Sequence, residues 1–579
     1  MFKKKFSNKI NLYNFSYVII LAFVIFYYQI VDYGLPYFIN ADEIAGMKSL
    51  LFFYGFFTYA NQNIVEPIYY PLINFVSTII ITGIKNLFLW NFSVSELKDY
   101  IFLNPDQLYL SGRISSIIFC SLSFILFLLI CRKLKLNNWF VFFSTISLSC
   151  SYLFMDIAIV LGKNSLLLLV FLLQYYFLIK FNNKISKFNF KSYVLFSVLA
   201  SLAWGINYWA ASVAFYSIIY LHLKKFNLKK INYLIIFFIV FFILGFLTNI
   251  FISGDKIYHH LFNPEYISLH TGTNRMGIFF NDIFESFKIF FNFEKAILII
   301  FFICFFTYMY LSKITDKDFI LLNLFLIFEP ILLFAIADYS YPQLRYFGPS
   351  IFIIYILSGY ILKKIEVKSY KKGKLILTTS CVILITFSFN KINILKKVNN
   401  IVHNNFIQYK MLKDYKPPSK IFYFSSMMIY RESLDNLKHY KFFLENNLIS
   451  LNEDADNKNN LFEIKKKIEV IKNINNPNIS PSGAGYTFFG GEYLIDDKKA
   501  FFDYIEKKFN FIMINQSDVD LIPYLKSRFK IEKVYKVKNF PHLRYLTLIL
   551  KENFHFKSIK EYEKLGINMV VFKTNKINE

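Results

Sequence analysis

The chain has 579 residues, of which 55% are hydrophobic and 20% aromatic, with a formal net charge of +26. A water-soluble protein of this length would divide into several domains and carry far more polar surface, so the composition excludes that class for most of the chain. The charge does not indicate nucleic acid, because it lies in Lys clusters (Lys3–Lys5, Lys224–Lys230, Lys363–Lys374) that punctuate apolar runs; such clusters hold loops in the cytoplasm and meet anionic headgroups.

In chain order, the apolar runs place membrane spans at residues 16–33, 68–89, 113–131, 138–155, 162–180, 231–252, 294–312, 319–337, 346–363 and 374–390. Each has the length that crosses a hydrocarbon core of about 30 Å at about 1.5 Å per residue. Residues 191–223 read as one long span, or as two short ones broken near Gly205–Asn207. The expected fold is therefore a multi-pass α-helical membrane protein of about 11–13 helices. The first span follows a basic start without a small-residue cleavage site, so it reads as retained. Lys48–Ala60 covers only about 20 Å as a helix and suits the interface instead.

Loop charges set the orientation. The N-terminus and residues 131–137, 180–191, 222–230, 312–318 and 363–374 are basic and read as inside; 34–67, 253–293, 338–345 and everything after 390 read as outside. One conflict follows. If 68–89 returns to the inside, then 131–137 falls outside against its charge; an additional crossing or re-entrant piece between 67 and 131 would remove the conflict, and a breach of the charge rule would instead place 156–163 inside.

Residues 1–390 thus form a membrane module and 391–579 a soluble extracytoplasmic one. In the latter, Phe509–Asn515 reads as a strand, Val519–Phe529 as a helix and Ile531–Val537 as a strand, an α/β pattern, with Asn452–Asn460 as a loop. Gly483–Gly491 lacks the Lys-Ser/Thr of a phosphate loop and reads as a turn. The five cysteines (Cys120, Cys131, Cys150, Cys304, Cys381) fall in or beside apolar runs, which leaves the tail without a disulfide framework.

The chemistry-bearing residues fall in the outside loops. Asp42 and Glu43 stand in NADEIAGMKSLLFFYG, just after the first span. They suit either a solvated helix start or a catalytic pair, since acids at an interface cost desolvation unless solvated, paired or metal-bound. Glu66 stands in NIVEPIYYPLINF at the mouth of the second span, where two acids in one cavity would supply a general base and a cation site. His259, His260, His270 and Arg275 lie in 253–293, and Arg345 precedes a late span in LRYFGP.

The order of these pieces resembles the polyprenyl-phosphate-dependent glycosyltransferases of the GT-C fold, in the branch of the protein O-mannosyltransferases and lipid A aminoarabinose transferases. The Asp-Glu pair with its interfacial helix, the Glu-Pro start of span two, SGRISSIIF (Ser111–Phe119) as a G-x-R segment and LRYFGP as R-Y-x-x-P carry the likeness, over about residues 10–390. The resemblance implies an inverting transferase in the bacterial inner (plasma) membrane, N-terminus cytoplasmic and tail periplasmic. Its partners would be a polyprenyl-phosphate-linked sugar donor, a lipid, glycan or protein acceptor and membrane lipids, with no nucleic acid. Asp42 inherits the role of catalytic base, beside Glu43. Glu66 and His270 would hold a divalent cation (Zn²⁺, Mg²⁺ or Mn²⁺), and no nucleotide cofactor is implied. Arg345, Arg275 and Lys163 would meet the donor phosphate. The sequence departs from the family in two places: Glu66 directly precedes Pro67, and Asn164 stands where a second acid is expected, with Lys163 or Asp156 as substitutes. A flippase, glycan polymerase or other multi-pass transporter is the alternative. Spans nearly free of charge, apart from Glu329 and Asp338, and the absence of a repeat argue against a secondary transporter.

Overall fold

A computed structural model describes residues 12–29, 69–93, 96, 105–151, 154, 157–158, 162–224, 231–248, 294–311, 316–337, 347–399, 421–424, 434–450, 457–472, 494–515, 521–535 and 569–574. The helices of the first two thirds are α1 (Leu12–Gln29), α2 (Tyr69–Lys85), α3 (Pro105–Leu134), α4 (Asn138–Ser149), α5 (Lys163–Asn183), α6 (Phe190–Trp204) and α7 (Ser212–Lys224). They continue with α8 (Ile231–Phe241, running on through a π-helical turn Phe242–Leu247), α9 (Lys295–Leu311), α10 (Lys317–Ala337), α11 (Gly348–Lys368) and α12 (Tyr370–Asn399).

The segments Leu12–Gln29, Tyr109–Leu134, Lys163–Asn183 and Tyr370–Ile392 are long and apolar enough to cross a membrane. The outward faces are apolar too: Val18, Leu21 and Ile25 on α1, and Ile235, Phe238 and Ile239 on α8, are exposed. An apolar belt of this kind is stable against lipid and a liability in water. Since lipid is as apolar as the interior, packing rather than hydrophobic transfer joins the helices. Phe23, Phe124, Phe154 and Phe352 illustrate it: ring centroids 4.8–5.9 Å apart tie α1, α3 and α11 together, each such pair contributing about 0.5–1.5 kcal/mol.

The basic loops gather at one end of the bundle. The turn between α3 and α4 is closed by Lys135 in the left-handed region (φ 54°), which lets the Leu136 N–H return to the Cys131 carbonyl at 3.0 Å. Asn137 then caps α4, accepting from Trp139 N–H at 3.0 Å and donating to Glu366 of α11 at 3.1 Å. Lys363 donates to the Leu134 carbonyl (2.8 Å), and Asn183 to that of Lys133 (3.1 Å). Lys224 donates to Asn182 (2.7 Å), while Asp316 accepts from Lys364 (2.6 Å) and Tyr360 (2.8 Å). Tyr13, near the start of α1, donates to the Leu128 carbonyl. The 131–137 turn therefore lies at the same end as the start of α1 and the other basic loops, as its charge requires.

The conflict is removed by α2, which does not return to the basic end. Its first residues meet the break between α6 and α7: Tyr70 N–H donates to the Gly205 carbonyl (3.1 Å), and Tyr69 Oη to that of Leu244 (2.5 Å). Gly205 is fifteen residues into α6, about 22 Å from the basic end. A Cβ there would fall 1.9 Å from the Tyr69 ring, so only glycine admits the approach. Further along, Thr82 bonds Ser111 at 2.8 Å, close to the start of α3 and so about 35 Å from its basic end. Thus α2 begins part-way through the bundle and runs outward. The expectation that 68–89 returns inside is corrected: the re-entrant arrangement holds, and its basis is the close packing at Gly205.

The 191–223 ambiguity resolves as two short helices. α6 and α7, 15 and 13 residues, leave and rejoin the basic end, with Gln174 of α5 donating to the Ala210 carbonyl (3.2 Å) at their tip. Neither α2 nor this hairpin runs from end to end.

In the tail, β1 (Ile421–Phe424), β4 (Phe511–Asn515), β6 (Met569–Lys573) and β5 (Lys530–Tyr535) form a sheet in the order β1-β4-β6-β5, and β2 (Ile449–Ser450) pairs with β3 (Leu494–Ile495). β1 runs parallel to β4 (Ile421 opposite Phe511), whereas β6 is antiparallel to both β4 and β5. The helices α13 (Leu434–Glu445), α14 (Asn457–Lys472), α15 (Lys498–Lys508) and α16 (Leu521–Arg528) complete it. Phe422, Phe443, Phe501, Phe502, Ile512 and Phe572 centre a second core, distinct from that of the bundle, against which Phe92 packs from just beyond α2. One expectation is corrected: Asn457–Asn460 open α14 rather than continuing a loop. The successive strands β4 and β5 flank β6.

Candidate functional site

The end of the bundle opposite the basic loops carries buried polar groups. On α2, Asn74, Thr78 and Thr82 recur every four residues, on one face, and are 3%, 0% and 1% exposed. That face meets α3 through the Thr82–Ser111 bond, and Ser111, Ser115 and Ser116 are buried as well. The Asn74 Nδ2 and Thr78 Oγ1 atoms have no hydrogen-bond partner among the described residues. Two residues past Ser111 stands Arg113, wholly buried and engaged with neighbouring groups. It lies about 31 Å from the basic end of α3. A guanidinium within an apolar helix is costly unless it meets an anion or oxygen acceptors.

A second cluster ties α4, α9 and α12. Glu294, immediately before α9, is fully buried and accepts from Lys391 of α12 at 2.9 Å; Ser151, just beyond α4, donates to its other oxygen. Below it, Tyr355 of α11 donates to Ser147 of α4 at 2.8 Å. Both charges are removed from water, so their attraction, supplemented by the Ser151 bond, offsets a large desolvation cost. Spans nearly free of charge, apart from Glu329 and Asp338, were the expectation; Arg113, Glu294 and Lys391, all buried, correct it.

Lys163, expected at the donor phosphate, is the first residue of α5 at this same end, half-buried and engaged, with Asn164 beside it. Asp42, Glu43, Glu66, His270, Arg275 and Arg345 lie outside the described residues, as do Asp156, His259, His260 and Asp338. The helix ends from which their segments depart are described: Gln29 and Tyr69 bracket the first segment, Thr248 and Glu294 the second, Ala337 and Phe347 the third. Gln29, Thr248, Glu294, Ala337 and Phe347 lie toward the end away from the basic loops, whereas Tyr69 opens α2 part-way through the bundle. Among the described residues, no group of three or more His, Cys, Asp or Glu side chains is placed to hold a metal ion.

Sequence reasoning missed Glu294, Lys391 and the burial of Arg113. A Glu-Lys pair at the mouth of a span (NFEKAIL) carries the same signal as Asp42-Glu43, and Arg113 already stood in the G-x-R motif. Compared with known proteins, the chain matches no family model and no curated protein.

Proposed function

We propose that the chain is a membrane glycosyltransferase of GT-C-like architecture that moves a sugar from a polyprenyl-phosphate donor to a lipid, glycan or protein acceptor at the face opposite the basic loops. In this reading the helices described within residues 12–399, four of them long and apolar enough to cross a membrane, are the membrane module, and the sheet and helices described within 421–574 are its extracytoplasmic α/β part. The N-terminus is cytoplasmic, because Lys-rich loops stay on that side.

The observation that carries the proposal is Arg113, buried at the end of the bundle from which the segments bearing Asp42, Glu43, Glu66, His270, Arg275 and Arg345 depart. A buried guanidinium suits a phosphate oxyanion, and a polyprenyl chain fits lipid-facing helices. In this reading Asp42 takes the proton of an acceptor hydroxyl as its oxygen attacks the anomeric carbon. The bond from that carbon to the phosphate oxygen breaks, and polyprenyl phosphate leaves with the electron pair, its charge met by Arg113, Arg345, Arg275 and Lys163. Attack opposite the leaving group inverts the anomeric centre. A divalent cation on Glu66 and His270 belongs to the same proposal.

The test is transfer of labelled sugar from synthetic polyprenyl-phosphate donors in membranes holding the full chain. Wild type gives labelled product; Asp42→Asn inserts equally and gives none. Full activity of Asp42→Asn overturns the assignment. A second reading, a transporter or flippase of polyprenyl-linked glycans, draws on Glu329, which directly precedes Pro330 in α10 and faces the α6–α7 tip. It predicts movement of the lipid-linked sugar across proteoliposomes without transfer.

A further inference from the structure

Glu329 is 7% exposed and stands twelve residues into α10, about 18 Å from the basic end and so deep in the bundle. Its neighbours are Ser212 and Tyr216, at the start of α7 and one turn on. Despite those hydroxyls, the Glu329 Oε2 atom and the Ser212 Oγ have no partner in hydrogen-bonding geometry among the described residues. No basic side chain within ion-pair distance of this carboxylate is found among the described residues; Lys364–Asp316 lies at the basic end and Lys391–Glu294 at the other.

The same elements offer further oxygen acceptors. Pro330 has no N–H, so the Leu326 carbonyl loses its usual helical donor. Gln174 of α5, wholly buried, uses its amide nitrogen on the Ala210 carbonyl, two residues before Ser212, and leaves its Oε1 unpartnered among the described residues. The α6–α7 break interrupts the helical ladder at the same level. Interrupted helices that offer carbonyl and hydroxyl oxygens beside one buried carboxylate supply the coordination a dehydrated cation needs, and one carboxylate balances one positive charge.

We propose that Glu329, with Ser212 and Tyr216, forms a monovalent-cation site that takes Na⁺ inside the bundle. The site is separate from the glycosyl-transfer reading. It pins the Pro330 region of α10 to the tip of the α6–α7 hairpin, and through Gly205 and Tyr69 to the start of α2.

Full-length protein purified in detergent tests it with ²²Na⁺ and with thermal unfolding in NaCl against choline chloride at equal ionic strength. Wild type binds ²²Na⁺ saturably, at one ion per chain, and unfolds at a higher temperature in NaCl. Glu329→Gln abolishes both effects while unfolding in choline as wild type does. Ser212→Ala and Tyr216→Phe, mild enough to fold should the Glu329 variant fail, retain binding at reduced affinity. Asp42→Asn binds Na⁺ as wild type does, which separates this site from the transferase. Wild-type binding at the background level, identical wild-type midpoints in the two salts, or unaltered affinity in both mild variants overturns the proposal.

Discussion

Removing Lys391 leaves Glu294 as a carboxylate with no counter-charge in a place water does not reach. The Lys391 side chain is 7% exposed and that of Glu294 0%, so the pair is desolvated on both sides. Breaking such a pair from one side costs about 3–5 kcal/mol. Lys391→Met falls in that range, because among the described residues the Ser151 hydroxyl alone then remains to meet the carboxylate. Glu294→Gln strands the Lys391 charge in turn and costs a similar amount, about 3–5 kcal/mol, because its single amide oxygen replaces only one of the two acceptors that Lys391 and Ser151 use. The double variant removes both charges, and replacing a buried pair by uncharged groups of similar size is close to neutral. It is therefore more stable than Lys391→Met alone, with a coupling energy of about 2 kcal/mol or more. The assay is a double-mutant cycle on purified protein, followed by intrinsic fluorescence during thermal unfolding and by limited proteolysis of the tail, whose root is α12. Additive effects, with coupling below about 0.5 kcal/mol, would show that water screens the two charges and would refute this account.

Gly205→Ala drives a methyl group into the Tyr69 ring and destabilises the bundle by about 1–3 kcal/mol; Tyr69→Ala in the same chain recovers part of the loss, and an undiminished midpoint in the single variant counts against the close approach. Cysteine introduced at Leu87 and at Lys187, both exposed, labels from opposite sides of intact cells, and labelling from one side rejects the outward run of α2. The Asp316 carboxyl is held below its ordinary 3.8 chiefly by the hydrogen bond from Lys364. A folded-state value below the unfolded one stabilises at neutral pH, and the contribution disappears as the pH falls below 3.8 through the folded value. The midpoint difference between wild type and Lys364→Met accordingly holds at pH 5–7 and closes in stronger acid. In the tail, the same direction applies to Asp503 beside Arg528, so Arg528→Met narrows the neutral-pH advantage of the tail over its acid form, read by proteolysis across the same pH range.

The buried polar residues were legible to different degrees. Arg113 stood in a motif and Lys163 at the mouth of a span; the structure buries the first and sets the second at the start of α5. Glu294 and Lys391 were not legible, because they are 97 residues apart and each alone reads as the polar edge of a span. Glu329 read as a borderline charge; its meaning depends on Ser212 and Tyr216, more than a hundred residues earlier.

Hydropathy and Lys spacing by themselves determined that this chain is a helical membrane protein, roughly where its helices fall, and that its basic loops share a side. Each of those properties is local: run length sets whether a segment can span, and the positive charge of a loop sets the side on which it stays. Depth, direction and pairing were decided only by the tertiary structure. The outward run of α2 follows from one glycine admitting one tyrosine ring, the short α6–α7 pair from a break packed against α5, and the sheet order from β6 inserting between two strands that are neighbours in sequence. Contacts between distant residues select among segments of equal hydropathy, and no window of sequence contains both partners.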